Sequence, residues 1–216
     1  MKYESTLSNA HSIFNDPFIP WCIDMDGTLI REDVTEIAML ESFTNPRFWH
    51  LFLWALVIWL IGFSPILAAR FLESNIIPIA STGRRLTFNT QLVDCLKEQR
   101  RRRKRTFNPG RRADVVLATA SHHLAARSIA NHVQGLFDEV LGSRDPALGN
   151  LLDASGKEKA TLLNSRYPTG FVYAGNSRDD LQVRNDDGCK AMILVNCKPK
   201  TLQQAQAIGK PFIVIQ

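Results

Sequence analysis

The chain has 216 residues, of which 45% are hydrophobic and 22% are charged, and its formal net charge is +5. This length suits one compact domain or a core with a small inserted cap, and the composition excludes a disordered chain. The positive charge favours anionic partners such as phosphates, nucleic acid or an anionic membrane surface. The four cysteines lack CxxC spacing, which favours reduced thiols over disulfides or a zinc site. The polar N-terminus contains no apolar stretch of signal-peptide length, so we expect no secretion.

The first half of the chain predicts one strand followed by helices. An apolar strand is expected over residues 18–23, and the acidic turn DMDGT follows it. Asp33 and Glu36 have the spacing of a capping box and predict a helix that continues to about residue 43. The next features, in chain order, are an apolar run at 48–63, a second apolar run from Pro65 to residue 72, a helix at 92–99, a cationic tract at 100–105 and a turn at 108–110.

The second half alternates short apolar strands with helical segments. Ala125, Ile129 and Val133, for example, recur at helical spacing. This alternation is typical of an α/β fold with a doubly wound, mainly parallel sheet, that is, a three-layer Rossmann-like core. Five strands are predicted here, at 113–119, 138–142, 170–175, 191–196 and 211–216.

Polar side chains directly follow several of these apolar runs. Ligands of open α/β sheets bind outside the carboxyl ends of the strands, so these side chains are predicted to converge at one edge of the sheet. Carboxylates, an amide, a hydroxyl and an ammonium together can hold Mg²⁺ and a phosphate. The residues concerned are Asp24, Asp26, Thr119, Asn176, Asp179 and Asp180, with Lys157 and Lys159 on the preceding helix.

Four of these segments resemble, in order, the motifs of the haloacid dehalogenase (HAD) superfamily. IDMDGTL at 23–29 resembles the DxDGT motif, and VVLATAS at 115–121 resembles the strand that ends in Thr or Ser. Lys159, three residues after Gly156, resembles the third motif. GNSRDD at 175–180 resembles the fourth, usually GDxxxD. A Ser/His/Asp hydrolase fits poorly, since no GxSxG elbow occurs.

The resemblance implies a role for each matched residue. Asp24 is expected to attack phosphorus, and Asp26 to protonate the leaving oxygen and then deprotonate the hydrolytic water. Mg²⁺ is the implied cofactor, with Asp24, the carbonyl of Asp26, Asn176 and Asp180 as its expected ligands. Lys159 is expected to stabilise charge on the transferring group. The expected phosphate-binding set is Met25, Gly27, Thr28, Thr119, Ala120 and Lys159.

Several assignments have alternatives. The family more often has Asp where this chain has Asn176, which would weaken metal affinity unless Asp179 compensates. Thr119 is alternatively a plain strand-end hydroxyl, and Lys159 a solvated helix lysine, with Lys157 as the partner or with neither. His122 and His123 are expected to be an exposed pair at a helix start.

The insertion after the first strand lies where the superfamily places its helical cap. The resemblance therefore divides the chain into a core (1–32 and 108–216) and a cap (33–107). Residues 48–63 contain one polar side chain, His50, and as a helix span about 24 Å, short of the roughly 30 Å hydrocarbon core. A single membrane span is excluded, because motifs on both sides of the segment share one sheet. A shallow hairpin broken at Pro65, or an interfacial helix, is expected; the alternative is a cap packed on the core or on a second subunit.

The cap and the cationic tract favour a membrane-facing enzyme. LATASHHLAARSIANHVQGLFDEVLGS and VYAGNSRDDLQV are similar to HAD domains fused to membrane prenyltransferases, and the apolar cap resembles that of membrane-bound phosphatidylglycerophosphatases. We therefore expect a phosphatase acting on a lipid-linked or isoprenoid-linked phosphate at the cytoplasmic membrane face, peripheral or re-entrant. Alternatives are a soluble cytoplasmic metabolite phosphatase, a phosphotransferase, or a noncatalytic partner of a membrane enzyme. No nucleic-acid partner is expected, and a homo-oligomer would form through the cap.

Overall fold

A parallel sheet of six strands organises the chain, as seen in a computed structural model that describes residues 12–16, 18–79, 86–104, 115–145 and 155–216. The strand order is β3–β2–β1–β4–β5–β6, and every neighbouring pair is parallel. This arrangement confirms the predicted α/β fold. The strands are β1 (Trp21–Ile23), β2 (Val115–His122), β3 (Glu139–Ser143), β4 (Phe171–Gly175), β5 (Cys189–Val195) and β6 (Phe212–Ile215).

Helices cover both faces of the sheet. On one face α4 and α5 bury Leu92, Leu96 and Ile129, and on the other α6, α7 and α8 bury side chains such as Leu163 and Val183. Because both faces are covered, the central strands are buried along almost their whole length rather than alternating, with Lys190 at the start of β5 as the exposed exception. The helices are α1 (Val34–Thr44), α2 (Trp49–Gly62), α3 (Pro65–Ile76), α4 (Thr90–Lys104), α5 (His123–His132), α6 (Gly156–Arg166), α7 (Asp180–Asn185) and α8 (Pro199–Ala207), with a 3₁₀ turn at Pro46–Phe48.

Strand β1 lies at the centre of the sheet and fixes where its carboxyl end points. Ile23, its last residue, pairs with Leu117 of β2 and Ala174 of β4. The residue that follows, Asp24, therefore starts from the middle of the carboxyl edge, where the loops after β2 and β4 also emerge. In open parallel sheets this edge is the ligand-binding position.

Helices α1, α2 and α3 lie between β1 and α4 along the chain. Asp33 caps α1 by accepting from the backbone N–H groups of Thr35 and Glu36, at 2.7 and 3.2 Å. Helices α2 and α3 form the expected helical hairpin, in which Ser64 caps α3 and Pro65 is its first residue. Leu92 and Leu96 of α4 pack in the same core as β1. The domain boundaries at 32/33 and 107/108 stay a prediction, and residues 105–114, with the predicted turn, lie outside the described ranges.

Helix α2 exposes most of its apolar side chains. Only Ala55 is buried, whereas Trp54, Leu60 and Ile61 are 57% to 76% exposed. The buried side faces α1 and α3, and the exposed positions cover more than half of the helix circumference. No helix in the described part of the chain combines the length and hydropathy needed to cross a membrane.

Two strand limits differ by three residues from the sequence prediction, and the other described limits differ by at most two. The regular part of β1 begins at Trp21 rather than at residue 18, and β2 continues past Thr119 to His122. The extension pairs His122 with Ser143 of β3, after an irregularity in the register. The expectation of an exposed histidine pair was wrong, because His122 is buried and His123 is half-buried. The ring of His122 accepts from the N–H of Leu124, and the His122 backbone N–H donates to Glu73 at 2.6 Å.

The two isoleucines Ile193 and Ile61 test this architecture. Ile193 in β5 is fully buried, whereas Ile61 in α2 is 76% exposed. Ile193→Ala should lower the free energy of unfolding by about 2–5 kcal/mol through lost burial and an unfilled cavity, and Ile61→Ala by less than about 0.5 kcal/mol. Urea unfolding followed by circular dichroism measures both. Equal losses in the two variants would contradict the assignment of β5 to the core.

Candidate active site

A tight turn after β1 places the first two carboxylates. The Asp24 N–H still bonds the Ala174 carbonyl of β4 at 2.9 Å, after which the chain turns, and the Ile30 N–H returns to the Met25 carbonyl at 3.1 Å. Gly27 has a φ of 71°, a left-handed conformation that glycine adopts without strain. A Cβ at Gly27 would also collide with the side-chain amide of Asn176. Glycine here therefore lets the loop after β1 lie against the loop after β4.

Lys159 and Asp24 form a buried ion pair at the centre of this edge. The Lys159 Nζ lies 2.8 Å from Asp24 Oδ1, and both side chains are at most 10% exposed. Burial raises the pKa of Asp24 to about 6, against the opposing effect of Lys159. Burial alone would lower the pKa of Lys159, but the charges of Asp24 and Asp180 outweigh it and the pKa is raised. Lys157 is exposed, so Lys159 is the lysine that the fold brings to the site.

Asp26 lies beside this pair in a different environment. Its Oδ1 accepts from the Val34 N–H at 2.8 Å, and its Oδ2 accepts from the hydroxyls of Ser121 at 2.8 Å and Thr119 at 3.4 Å. Burial first, and then the charge of Asp24, raise its pKa to about 7. A carboxyl group with this pKa can hold and release a proton near neutral pH, which suits general acid–base chemistry.

Asp180 holds the loop that follows β4. Its Oδ2 accepts from the backbone N–H groups of Asn176 and Ser177, at 3.1 and 2.9 Å, and from the Ser177 hydroxyl at 2.8 Å. Its Oδ1 accepts from the Tyr173 hydroxyl at 2.6 Å, and Arg184 lies 3.9 Å from Oδ2. Burial would raise the pKa of Asp180, but Lys159 and Arg184 lower it overall. Both oxygens are thus engaged within the protein, and direct ligation of a metal by Asp180 stays a prediction.

The oxygens left for a hard cation come from Asp24, Asp26 and Asn176. The Thr28 hydroxyl bridges Asp24 Oδ2 and Asn176 Oδ1, at 3.4 and 3.3 Å. In the described ranges no three His, Cys, Asp or Glu side chains come together as metal ligands, so this set depends on the amide and on a backbone carbonyl. The buried carboxylate of Asp24 and the half-buried carboxylate of Asp26, both with raised pKa values, fit a divalent cation such as Mg²⁺ together with the amide oxygen. The cation would offset the repulsion between the two carboxylates.

A cavity of about 640 Å³ opens above these groups. Its wall includes Asp24, Asp26, Gly27, Ala120, Lys159, Asn176, Asp179 and Asp180 from the predicted set. The side chain of Met25 is instead fully buried in the core, so only its backbone is available to a ligand. Thr119 is also buried, where its hydroxyl contacts Asp26 and accepts from the Ser121 N–H.

Sequence reasoning missed Ser121, Tyr173, Arg70 and Lys198. Ser121 had a usable signal, since it lies two residues after Thr119 and so on the same face of β2. Arg70 of α3 reaches the cavity wall because Glu73 holds its Nη1 at 2.6 Å. Nothing in the sequence pattern distinguishes this arginine, or the exposed Lys198, from surface residues.

Glu73 also ties the hairpin to the sheet. Besides Arg70, it accepts from the Thr35 hydroxyl and from the His122 backbone N–H, both at 2.6 Å. Burial raises its pKa, with Arg70 opposing that shift. One fully buried carboxylate therefore joins α1, α3 and the end of β2, and it holds Thr35 and Arg70 at the wall of the cavity.

The Asp26→Asn variant tests the electrostatics of the site in metal-free protein. The pKa of Asp26 is raised from 3.8 to about 7 in the folded chain. The folded state thus keeps a proton there that the unfolded state has lost, and this stabilising contribution disappears as pH rises through about 7. Asn does not titrate, so between pH 5 and 8 the variant should lose less free energy of unfolding than the unaltered chain, by roughly 1–4 kcal/mol. Urea unfolding in EDTA measures this, with exposed Asp94→Asn as the control. Equal pH dependence in all three chains would contradict the raised pKa.

Comparisons with known proteins give a fold and little sequence similarity. No family model matches the chain. The uncharacterized protein y4nM of Sinorhizobium fredii is 26% identical over 168 residues, which cover 78% of this chain and 28% of that protein. The chain therefore spans less than a third of the length of the curated relative that it matches.

Similar solved structures include three with nearly full coverage of this chain. A Bordetella pertussis protein of unknown function has a TM-score of 0.58 at 16% identity, covering 91% of this chain and 97% of its own. A phosphoserine phosphatase, solved as an analogue of its phospho-aspartyl intermediate, has a TM-score of 0.54 at 15% identity. The match covers 91% of this chain and 92% of the phosphatase. A HAD family hydrolase from Salmonella enterica serovar Typhi has a TM-score of 0.52 at 14% identity. The match covers 91% of this chain and 68% of the hydrolase. The chain thus has the Rossmann-like fold of phosphoserine phosphatases and other HAD hydrolases.

Proposed function

We propose that this chain is a Mg²⁺-dependent phosphomonoester hydrolase that works through an aspartyl-phosphate at Asp24. The observation that carries the proposal is the pairing of Asp24 with Lys159 at 2.8 Å, with Asp26 beside it on the wall of the same cavity. An ionised carboxylate held by a buried ammonium is a suitable nucleophile. A neighbouring carboxyl group with a pKa of about 7 is a suitable proton donor.

The residues divide the reaction into two displacements. Asp24 Oδ attacks phosphorus, the bond from phosphorus to the substrate oxygen breaks, and Asp26 gives its proton to the leaving alcohol. Water then attacks the phosphorus of the aspartyl-phosphate, Asp26 takes the proton of that water, and inorganic phosphate leaves with the Asp24 carboxylate restored. Lys159 offsets the charge on the transferring phosphoryl oxygens, and Thr119 and Ser121 fix the orientation of Asp26.

The donor set supports Mg²⁺ as the cofactor. Asp24, the backbone carbonyl of Asp26 and the amide oxygen of Asn176 would hold the ion, and Asp180 would act by fixing the loop that carries Asn176. When bound, Mg²⁺ would neutralise phosphate charge and orient the group being transferred. An amide brings less charge than a carboxylate, so we expect weaker Mg²⁺ binding than at a site with Asp in this position.

Phosphate release tests the enzyme proposal. The purified chain with Mg²⁺ should hydrolyse p-nitrophenyl phosphate, a sugar phosphate or a lipid phosphate, and Asp24→Asn should reduce turnover at least about 10³-fold because the nucleophile is lost. Asp94→Asn, a change at an exposed aspartate on α4, is the matched control and should keep full activity. A chain with no turnover on any compound, and with no stabilisation by Mg²⁺ plus beryllium fluoride, would contradict the proposal and favour the noncatalytic partner subunit.

The substrate class we propose is a lipid-linked or isoprenoid-linked phosphate presented at a membrane surface. The supporting observation is the exposed apolar face of α2, which includes Trp49, Trp54 and Trp59. A face that covers more than half of a helix exceeds what one packed partner helix usually covers, whereas acyl chains and headgroups can surround it. With 14 residues, α2 is about 21 Å long, which suits a position in the plane of the interface rather than across it.

Vesicle flotation tests this membrane proposal. The chain should float with vesicles of phosphatidylcholine containing phosphatidylglycerol, and the double variant Leu53→Glu, Leu60→Glu should bind at least about tenfold less because it places charge on the exposed face. The control is Gln203→Glu with Gln206→Glu, which adds the same charge on exposed positions of α8. Turnover of p-nitrophenyl phosphate should be unchanged in both variants.

Two outcomes would overturn the lipid version. A chain that never floats and prefers a soluble phosphate would be a metabolite phosphatase. A dimer that the two α2 changes dissociate would make the apolar face a contact between two copies of this chain. Transfer of phosphate to an added alcohol, measured against release to water, separates a phosphotransferase from a hydrolase.

A further inference from the structure

Tyr173 links the two charged groups of the site through its hydroxyl. It lies in β4 and its side chain is fully buried. Its oxygen lies 3.2 Å from the Lys159 Nζ and 2.6 Å from Asp180 Oδ1. The short distances define one continuous chain of hydrogen bonds from Asp24 through Lys159 and Tyr173 to Asp180.

The direction of each bond in this chain is fixed by chemistry. The Asp180 carboxylate can only accept, so the Tyr173 hydroxyl donates to it; the Lys159 ammonium can only donate, so the same hydroxyl accepts from it. Of the three N–H bonds of Lys159, one points to Asp24 and one to Tyr173. The third is then directed by these two and is the one available to a phosphoryl group.

We propose that Tyr173 is a positioning residue for phosphoryl transfer, which sets the orientation of the Lys159 ammonium and couples it to the loop after β4. This inference rests on the proposed function. Asp180, at the other end of the hydroxyl, holds the backbone N–H groups of Asn176 and Ser177. One hydroxyl therefore connects the cation that faces phosphate with the loop that carries the candidate metal ligand.

Packing alone does not require a hydroxyl at this position. The ring of Tyr173 lies in an apolar cluster with Phe171, Met192 and Leu194, and a phenylalanine ring would fill the same space. Burying a hydroxyl costs free energy unless it makes hydrogen bonds. Both hydrogen bonds of the Tyr173 hydroxyl go to residues of the candidate site.

Tyr173→Phe tests the inference, because it removes only the hydroxyl. The value of kcat should fall about tenfold or more, while KM changes less than about twofold, since substrate groups outside the reacting centre are untouched. The same change added to Lys159→Met should lower kcat less than about twofold further, because the hydroxyl acts through Lys159. Circular dichroism and thermal unfolding should show a folded protein.

Tyr167→Phe is the matched control. Tyr167 is also buried, and its hydroxyl also donates to a carboxylate at 2.6 Å, that of Glu139, which lies outside the candidate site. The Tyr167→Phe variant should keep kcat within about twofold of the unaltered chain. A Tyr173→Phe protein with unchanged kcat, or equal losses in both variants, would overturn the positioning role alone. Absence of turnover in the unaltered chain would overturn the proposed function, and this inference with it.

Discussion

The site depends on a buried ion pair, Asp24 with Lys159, at the carboxyl end of the central strand. Removing two charges from water is costly, and the cost is offset only when geometry and further hydrogen bonds are good. Here the fold supplies both, because Tyr173 of β4 pairs with Cys22 of β1, two residues before Asp24, and α6 brings Lys159 within hydrogen-bond distance of Asp24 and Tyr173. Losing Lys159 would leave Asp24 buried without its cation, whereas losing Asp24 would leave Lys159 with the charges of Asp180 and Asp26. The pair is therefore a constraint on folding as well as on chemistry.

The hairpin of α2 and α3 has two different surfaces. Its inner side is tied to the core by Glu73, which accepts from Arg70, Thr35 and His122 at once. Its outer side exposes apolar residues that a protein surrounded by water does not normally leave uncovered. The inner side shapes the cavity, and the outer side would decide where the cavity is presented. If the proposed function holds, this division would let one insertion serve both substrate selection and attachment to a lipid surface.

Much of the fold was predictable because buried parallel strands leave continuous apolar runs. The motif residues Asp24, Asp26, Lys159 and Asn176 were also found from the sequence, since each follows a strand or opens a helix. Tyr173 and Arg70 were not found, because their roles depend on contacts between different elements of the fold. Ser121 was missed although its position two residues after Thr119 was a usable signal. Direct ligation of a metal by Asp180 stays a prediction, and the structure adds that its oxygens accept hydrogen bonds from Tyr173 and from the loop after β4. Such competition for lone pairs appears only in three dimensions.

The proposed function requires Asp24 to become covalently phosphorylated. The most direct measurement is to mix the chain with Mg²⁺ and its best substrate, quench within one turnover, reduce with borohydride and map the product by peptide mass spectrometry. Borohydride converts an aspartyl-phosphate to homoserine. We therefore expect homoserine in place of Asp24 and an unmodified Asp26. Phosphate release without any modification at Asp24, or with modification at another residue, would contradict the proposed function.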